Sequence, residues 1–113
     1  MVYVAPELDE ASWPPRPTDR VVLEDEQDAA LVEFERGCAR GERLHYIVQA
    51  RPGAGYADDV AAWATVVLGC GDAVLVVDEL EEVLEGGGLD AFKRILWRGR
   101  KAEAWVWCIA HRP

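Results

Sequence analysis

The feature of this sequence that most restricts its fold is a continuous apolar run from Ala73 to Val77. The run is rich in β-branched residues and shows no alternation of apolar and polar positions. Such a run is typical of a strand in a parallel sheet whose two faces are both covered by helices. We therefore predict a central strand at this position.

Other apolar stretches alternate along the chain with helical patterns. Strands are also predicted at Val2 to Val4, Val21 to Leu23, Leu44 to Val48 and Ala104 to Ala110. Apolar residues at near-helical spacing predict helices at Asp28 to Arg40, Tyr56 to Leu68 and Leu89 to Arg100. This alternation predicts βαβ units and hence an α/β fold, with a three-layer, mostly parallel sheet and helices on both faces.

The length and the N-terminal composition indicate one domain. A chain of 113 residues suffices for one layered core and is too short for two, so residues 1–113 are expected to form a single domain. Residues 1–27 are acidic and contain four of the six prolines, which predicts a partly extended arm. No apolar run approaches the roughly 20 residues that span a bilayer, and no signal peptide is recognisable, so we expect a cytoplasmic protein.

The net charge of −9 is unevenly distributed, since residues 1–35 contain ten of the 21 acidic residues and only two arginines. Near the C-terminus the balance is reversed, and one acid, Glu103, accompanies six bases: Lys93, Arg94, Arg98, Arg100, Lys101 and Arg112. These bases either offer a contact for a partner with phosphate groups, such as nucleic acid, or form the solvated face of a helix.

Residue types that often mark ligand sites are dispersed in this sequence. Its three cysteines and two histidines form no pattern of metal-ligand spacing and predict neither a zinc site nor a disulfide framework: Cys38, Cys70, Cys108, His45 and His111. Four of the tryptophans are expected to pack in the core and on the sheet rather than to stack on bases: Trp63, Trp97, Trp105 and Trp107.

Two adjacent carboxylates, Asp78 and Glu79, directly follow the apolar run. In parallel α/β sheets ligands collect outside the carboxyl ends of the strands, so this pair lies where chemistry is expected. The first carboxylate could hold a water of a Mg²⁺ that bridges nucleotide phosphates, and the second could orient or deprotonate an attacking water. The pair alone is a weak signal, because apolar strands often end in acidic residues.

The context of the acidic pair is more specific. About 25 residues later a second strand pattern, Trp105 to Ile109, continues into Ala110-His111-Arg112-Pro113. Together, the two segments resemble the Walker B to sensor part of additional-strand P-loop ATPases. The similarity is greatest to the zonula-occludens-toxin-like phage assembly proteins and the FtsK/HerA-type DNA translocases, and it covers residues 72–113.

The resemblance implies a role for each matching residue. Asp78 would support Mg²⁺, Glu79 would be the catalytic carboxylate, and Arg98 or Arg100 would contact phosphate. His111 stands where the family usually has a polar amide that senses the γ-phosphate, and a neutral imidazole could donate one hydrogen bond there. ATP and Mg²⁺ are the implied cofactors.

The resemblance lacks one part, because the sequence has no Gly-x-x-x-x-Gly-Lys-[Ser/Thr] loop to hold phosphates. The only lysines, Lys93 and Lys101, follow no glycine-rich turn. The Pro52 to Gly55 segment has no lysine or hydroxyl residue, and we expect Asp58 and Asp59 in the first turn of the next helix, where they would repel phosphate. This segment is therefore predicted to be a plain turn.

Three functional classes remain open from the sequence. In the first class, the chain is a part, or a degenerate member, of a phage- or plasmid-type P-loop ATPase for DNA translocation, packaging or phage assembly. Such a chain would be inactive unless a phosphate loop is supplied from elsewhere. Alternatively, it is a non-catalytic α/β module that binds a protein partner or a second copy, with the acidic N-terminal third as a contact surface. The third class is a doubly wound domain of flavodoxin or response-regulator type, although no glycine-rich cofactor turn is found.

Overall fold

A computed structural model describes residues 1–8, 19–71, 73–85, 90, 93–94, 97 and 105–109. The described strands are β1 (Val2–Ala5), β2 (Arg20–Val22), β3 (Tyr46–Gln49), β4 (Val74–Val77) and β5 (Trp105–Cys108). The described helices are α1 (Gln27–Ala39), α2 (Ala54–Cys70) and α3 (Leu80–Glu85), and a short 3-10 helix (Glu24–Glu26) precedes α1. The strands coincide with the predicted ones except at their end residues.

The described strands form one sheet in the order β2-β3-β1-β4-β5, and each strand is parallel to its neighbours. This confirms the predicted α/β fold with a parallel sheet. β1 is the middle strand, since Val2 pairs with Tyr46 of β3 on one side and with Leu75 of β4 on the other. The N-terminal stretch for which we expected a partly extended arm thus provides two strands of the sheet, one of them central.

Alternate residues of the strands pack on opposite faces of the sheet. On one face, Val4, Val48 and Val77 join a large core to which α1, α2 and α3 all contribute side chains. The other face has a smaller buried cluster of strand residues, namely Tyr3, Ala5, Ile47 and Val76. No described helical residue belongs to that second cluster. The second helical layer of the predicted three-layer fold therefore stays a prediction.

The helices differ from their predicted bounds in informative ways. α2 begins at Ala54, so Asp58 and Asp59 do not lie in its first turn, and that prediction was wrong. The sequence did not predict α3, which forms in the acidic stretch after β4. In the region predicted as a helix over 89–100, the described residues 90, 93, 94 and 97 are helical. No helix in the described part of the chain is both long enough and apolar enough to cross a bilayer.

Trp63 of α2 is the largest fully buried side chain and joins the two long helices to the sheet. Its indole Nε1–H donates to Oε1 of Gln27 at 3.1 Å, and Gln27 is itself buried. The rings of Phe34 and Tyr46 pack edge-on against it, with centroid separations of 6.3 and 6.1 Å. Gln27 also donates its Nε2–H to Asp59 at 3.0 Å. A satisfied polar network therefore lies inside the apolar core.

The other tryptophans do not share this environment. Trp97 and Trp107 are each 61% exposed, so the prediction that they pack in the core was wrong. The side chain of Trp105 lies outside the described part of the structure. Being large and apolar does not by itself bury a residue, because a protein of this size exposes much apolar surface.

We expect Trp63→Phe to lower the free energy of unfolding by about 2–3 kcal/mol, because it leaves a cavity and removes the donor to Gln27. Urea unfolding followed by far-UV circular dichroism measures this without relying on tryptophan fluorescence. Trp107→Phe is the matched control and should stay within about 0.5 kcal/mol of the parent. Equal effects of the two substitutions would contradict the structural role given to Trp63.

Candidate functional site

The predicted acidic pair lies at the carboxyl edge of the sheet, directly after β4. Ile109, which follows β5, donates its backbone N–H to the carbonyl of Val77 at 2.9 Å and accepts a hydrogen bond from Leu80 at 3.0 Å. The end of β5 therefore lies beside Asp78 and Glu79, as the prediction of parallel strands required. The other predicted site residues, Arg98, Arg100 and His111, lie outside the described residues.

Asp78 lies at a topological switch point of the sheet. The chain continues from β1 to β2 on one side of β1, and from β4 to β5 on the opposite side. Neighbouring parallel strands whose connections leave in opposite directions form a crevice outside their carboxyl ends, and ligands of such sheets bind there. β1 and β4 are neighbours of this kind, and Asp78 is the first residue after β4.

Hydrogen bonds to both carboxylate oxygens and from the backbone N–H fix the position of Asp78. The hydroxyl of Tyr3, in β1, donates to Oδ2 of Asp78. The backbone N–H of Glu79 donates to Oδ1 at 2.8 Å, and the backbone N–H of Asp78 donates to the carbonyl of Val4 at 2.9 Å. Hydrogen bonds of this type orient the carboxylates that bind metal ions in proteins.

Tyr56, near the start of α2, is fully buried beneath the ends of β1 and β4. Its hydroxyl oxygen lies 2.6 Å from the carbonyl of Asp78 and 3.0 Å from that of Val4. A single O–H donates to one acceptor at a time, and the shorter contact has the better distance. Burial, followed by the charge of Asp78, raises the pKa of Tyr56, so the hydroxyl keeps its proton. The Tyr56 hydroxyl therefore holds the peptide group that follows Asp78 close to the C-terminal end of β1.

Glu79 has a φ of 49° and is, among the described residues, the one non-glycine residue with a positive φ. For a residue with a β-carbon this left-handed conformation costs about 1–2 kcal/mol. Strained backbone of this kind is concentrated at functional positions. Here it lies at the turn of the chain from β4 into α3.

The charge environment of Glu79 favours its protonated form. Partial burial comes first, followed by a hydrogen bond to Glu82 and repulsion from Glu82, Asp78 and Glu81, and together these raise the pKa of Glu79 above its ordinary value of 4.5. A carboxylate with a raised pKa is a stronger proton acceptor at neutral pH than an ordinary one. Asp78 is thus held by hydrogen bonds, and the surroundings of Glu79 raise its proton affinity.

The acidic pair fits a Mg²⁺ ion that is bound together with a nucleotide. In such sites one or two carboxylates usually share the ion with phosphate oxygens and waters. Asp78 offers one carboxylate with a fixed orientation, which suits that role. Within the described ranges, no group of three or more potential metal ligands converges.

The glycine-containing turn after β3 is closed by an ion pair. Asp59 accepts the backbone N–H of Arg51 at 2.8 Å and its guanidinium at 2.8 Å. A phosphate placed in this turn would meet the carboxylate of Asp59, which repels it. This arrangement agrees with a plain turn, although the repelling carboxylate acts from the second turn of α2 rather than from the first.

Comparison with known proteins does not assign this chain to a family. The chain matches no family model, no curated protein and no solved structure.

Sequence reasoning missed two residues of this site, Tyr3 and Tyr56. The alternating pattern of β1 indicates a face for Tyr3, but only the strand order places it beside β4. Tyr56 begins an apolar helical pattern in which a tyrosine has no distinctive signal. Both residues contact Asp78 across long sequence separations, which local patterns do not encode.

We expect Glu79→Gln to stabilise the fold at neutral pH. Because the pKa of Glu79 is raised in the folded state, ionisation of this group costs stability, and the cost grows as the pH rises above 4.5 through the raised pKa. The unfolding midpoint of Glu79→Gln should therefore exceed that of the parent at pH 7 to 8, and the difference should vanish below about pH 4.5. Differential scanning calorimetry across this range measures it.

Glu42→Gln is the control of opposite sign. A hydrogen bond from Arg40 and the charge of its guanidinium lower the pKa of Glu42, so its ionised form contributes stability above the ordinary value and loses it as the pH falls. This variant should gain no stability at neutral pH. A constant difference between Glu79→Gln and the parent at all pH values would contradict the proposed origin of the effect.

Proposed function

We propose that this chain supplies the Walker B and sensor strands of a P-loop ATPase that translocates or packages DNA or assembles phage. The observation that supports this most is the position of Asp78 and Glu79 at the switch point between β1 and β4. Nucleotides of parallel α/β sheets bind at such edges. Because the sequence contains no phosphate-binding loop, that loop would come from another segment or another molecule.

Each of the described residues would have a separate role at this site. Asp78, oriented by Tyr3, would hold Mg²⁺ directly or through a water, and the ion would neutralise charge on the nucleotide phosphates. Tyr56 would keep the Asp78 peptide fixed against β1. Glu79 would orient the attacking water and accept its proton, for which its raised pKa is favourable.

The remaining roles would fall to residues outside the described part of the structure. Arg98 or Arg100 would contact phosphate, and His111 would donate a hydrogen bond towards the γ-phosphate. What supports these roles is the resemblance of residues 72–113 to the ATPase segment, together with the contact of Ile109 with the start of α3.

A second function, binding of a protein partner without catalysis, is favoured by a different surface. Leu23 and Val32 are 48% and 49% exposed, and the acidic 3-10 helix Glu24–Glu26 lies directly after Leu23. Exposed apolar side chains within an acidic surface suit a partner that is apolar and basic. This function would need neither nucleotide nor metal.

Thermal unfolding with and without Mg²⁺ distinguishes the two functions. If Asp78 binds the ion with a dissociation constant of about 10 mM, 20 mM MgCl₂ should raise the midpoint of the parent by about 3–5 °C. Asp78→Asn should lose this shift and Glu79→Gln should retain most of it. NaCl at equal ionic strength controls for simple screening of the acidic side chains. A parent without any Mg²⁺-specific shift would contradict the metal-binding role proposed for Asp78 and would favour the binding module.

Isothermal titration calorimetry with Mg-ATP tests the missing loop. The acidic residues after β4 repel phosphate, and the sequence has no lysine-bearing loop to offset that repulsion. We therefore expect a dissociation constant for Mg-ATP above about 1 mM and no measurable hydrolysis. Asp78→Ala is the control for any heat observed. A low-micromolar dissociation constant that is lost in Asp78→Ala would show that a segment of this chain does hold phosphate.

A further inference from the structure

Cys38 and Cys70 are distant in the sequence and adjacent in the fold. Cys38 lies in the last turn of α1 and Cys70 is the last residue of α2, and the two helices pack against each other. Both side chains pack against the same hydrophobic core. Both residues also line the same two surface cavities, with volumes of about 440 and 670 Å³. Cys108 lies apart from them, in β5.

The two thiols are accessible, and the environment slows the reaction of one of them. Both are partly exposed at the cavity walls, so a small oxidant has access to them. Burial, the neighbouring thiol of Cys38 and the nearby charge of Glu35 raise the pKa of Cys70 to about 12. Since the thiolate is the reactive form, this raised pKa slows any reaction that begins at Cys70.

The backbone beside Cys70 is suited to a local adjustment. A disulfide requires Cα atoms roughly 4.4–6.8 Å apart and a specific orientation of the two β-carbons. Cys70 lies between Gly69 and Gly71, and Gly71 ends α2 with a φ of 64°. Glycine restricts the backbone less than any other residue, so the chain at the end of α2 can adjust towards this geometry.

We propose that Cys38 and Cys70 form a reversible disulfide that joins the C-terminal ends of α1 and α2. With a small-molecule disulfide such as oxidised glutathione as oxidant, the Cys38 thiolate attacks one of its sulfurs and releases one glutathione thiolate. Cys70, after losing its proton to solvent, attacks Sγ of Cys38 and releases the second. The protein loses two electrons and two protons, and the oxidant becomes two molecules of glutathione.

The bond would close the segment from residue 38 to residue 70, which contains β3 and all of α2. Closing a segment of this length removes conformational freedom from the unfolded chain, so the oxidised protein is more stable than the reduced one. The proposal depends on neither proposed function, because it concerns thiols at the helix ends and not the acidic edge of the sheet.

The test is to incubate the reduced protein with graded ratios of oxidised to reduced glutathione, alkylate the remaining thiols and analyse the products by mass spectrometry. The oxidised parent should lose two hydrogens, carry one alkyl group at Cys108 and yield a linked peptide pair containing Cys38 and Cys70. Its unfolding midpoint should rise by roughly 5–15 °C. Dithiothreitol should reverse both changes.

Single serine substitutions separate the alternatives. Cys108→Ser should retain the linked peptides and the stabilisation, whereas Cys38→Ser and Cys70→Ser should lose both. The proposal is overturned if both thiols remain alkylatable in excess oxidised glutathione. It is equally overturned if each ends as its own mixed disulfide with glutathione, or if the bond that forms involves Cys108 or a second molecule.

Discussion

The backbone pairing of β1 with β3 on one side and with β4 on the other is the interaction on which the rest of the structure depends. Without β1 the sheet would separate into two pairs of strands. Val2 and Val4 of β1 are fully buried in the main core, while the intervening Tyr3 faces the other side and donates to Asp78. The strand that joins the two halves of the sheet therefore also orients Asp78, the first carboxylate of the site.

The sequence was sufficient to predict the kind of elements and the direction of the strands. Apolar runs such as Ala73 to Val77, and the helical spacing of apolar residues between such runs, are local patterns. Such patterns can be read from the sequence without knowledge of the fold. The strand order was not predictable in the same way, because a four-residue run such as Val2 to Ala5 has the same pattern in the middle of a sheet as next to its edge. Only packing between distant segments decides that position. The exposed Trp107 shows the same limitation at the end of the sheet.

The site was predictable only in part for a related reason. Asp78 and Glu79 follow directly from the end of an apolar run, so their place at the carboxyl edge was evident. Tyr3 and Tyr56 reach them from β1 and α2, and nothing local marks either tyrosine as a partner. The backbone of Glu79 was equally unexpected, because its positive φ is a conformation that glycine or asparagine adopts more easily. The carboxylate of Glu79 nevertheless occupies this strained turn. We infer that its place next to Asp78 outweighs the cost of the strain.

The central position of the first strand also has a kinetic consequence. β1 pairs with residues near Tyr46 and near Leu75, so its contacts close very large loops. Contacts of high sequence separation slow folding, because the entropy of loop closure is lost before the strand is stabilised. During synthesis β1 leaves the ribosome before β3 and β4, and its second edge stays unpaired until β4 follows. Until then its apolar residues are exposed, and this interval is when the chain is most prone to aggregate.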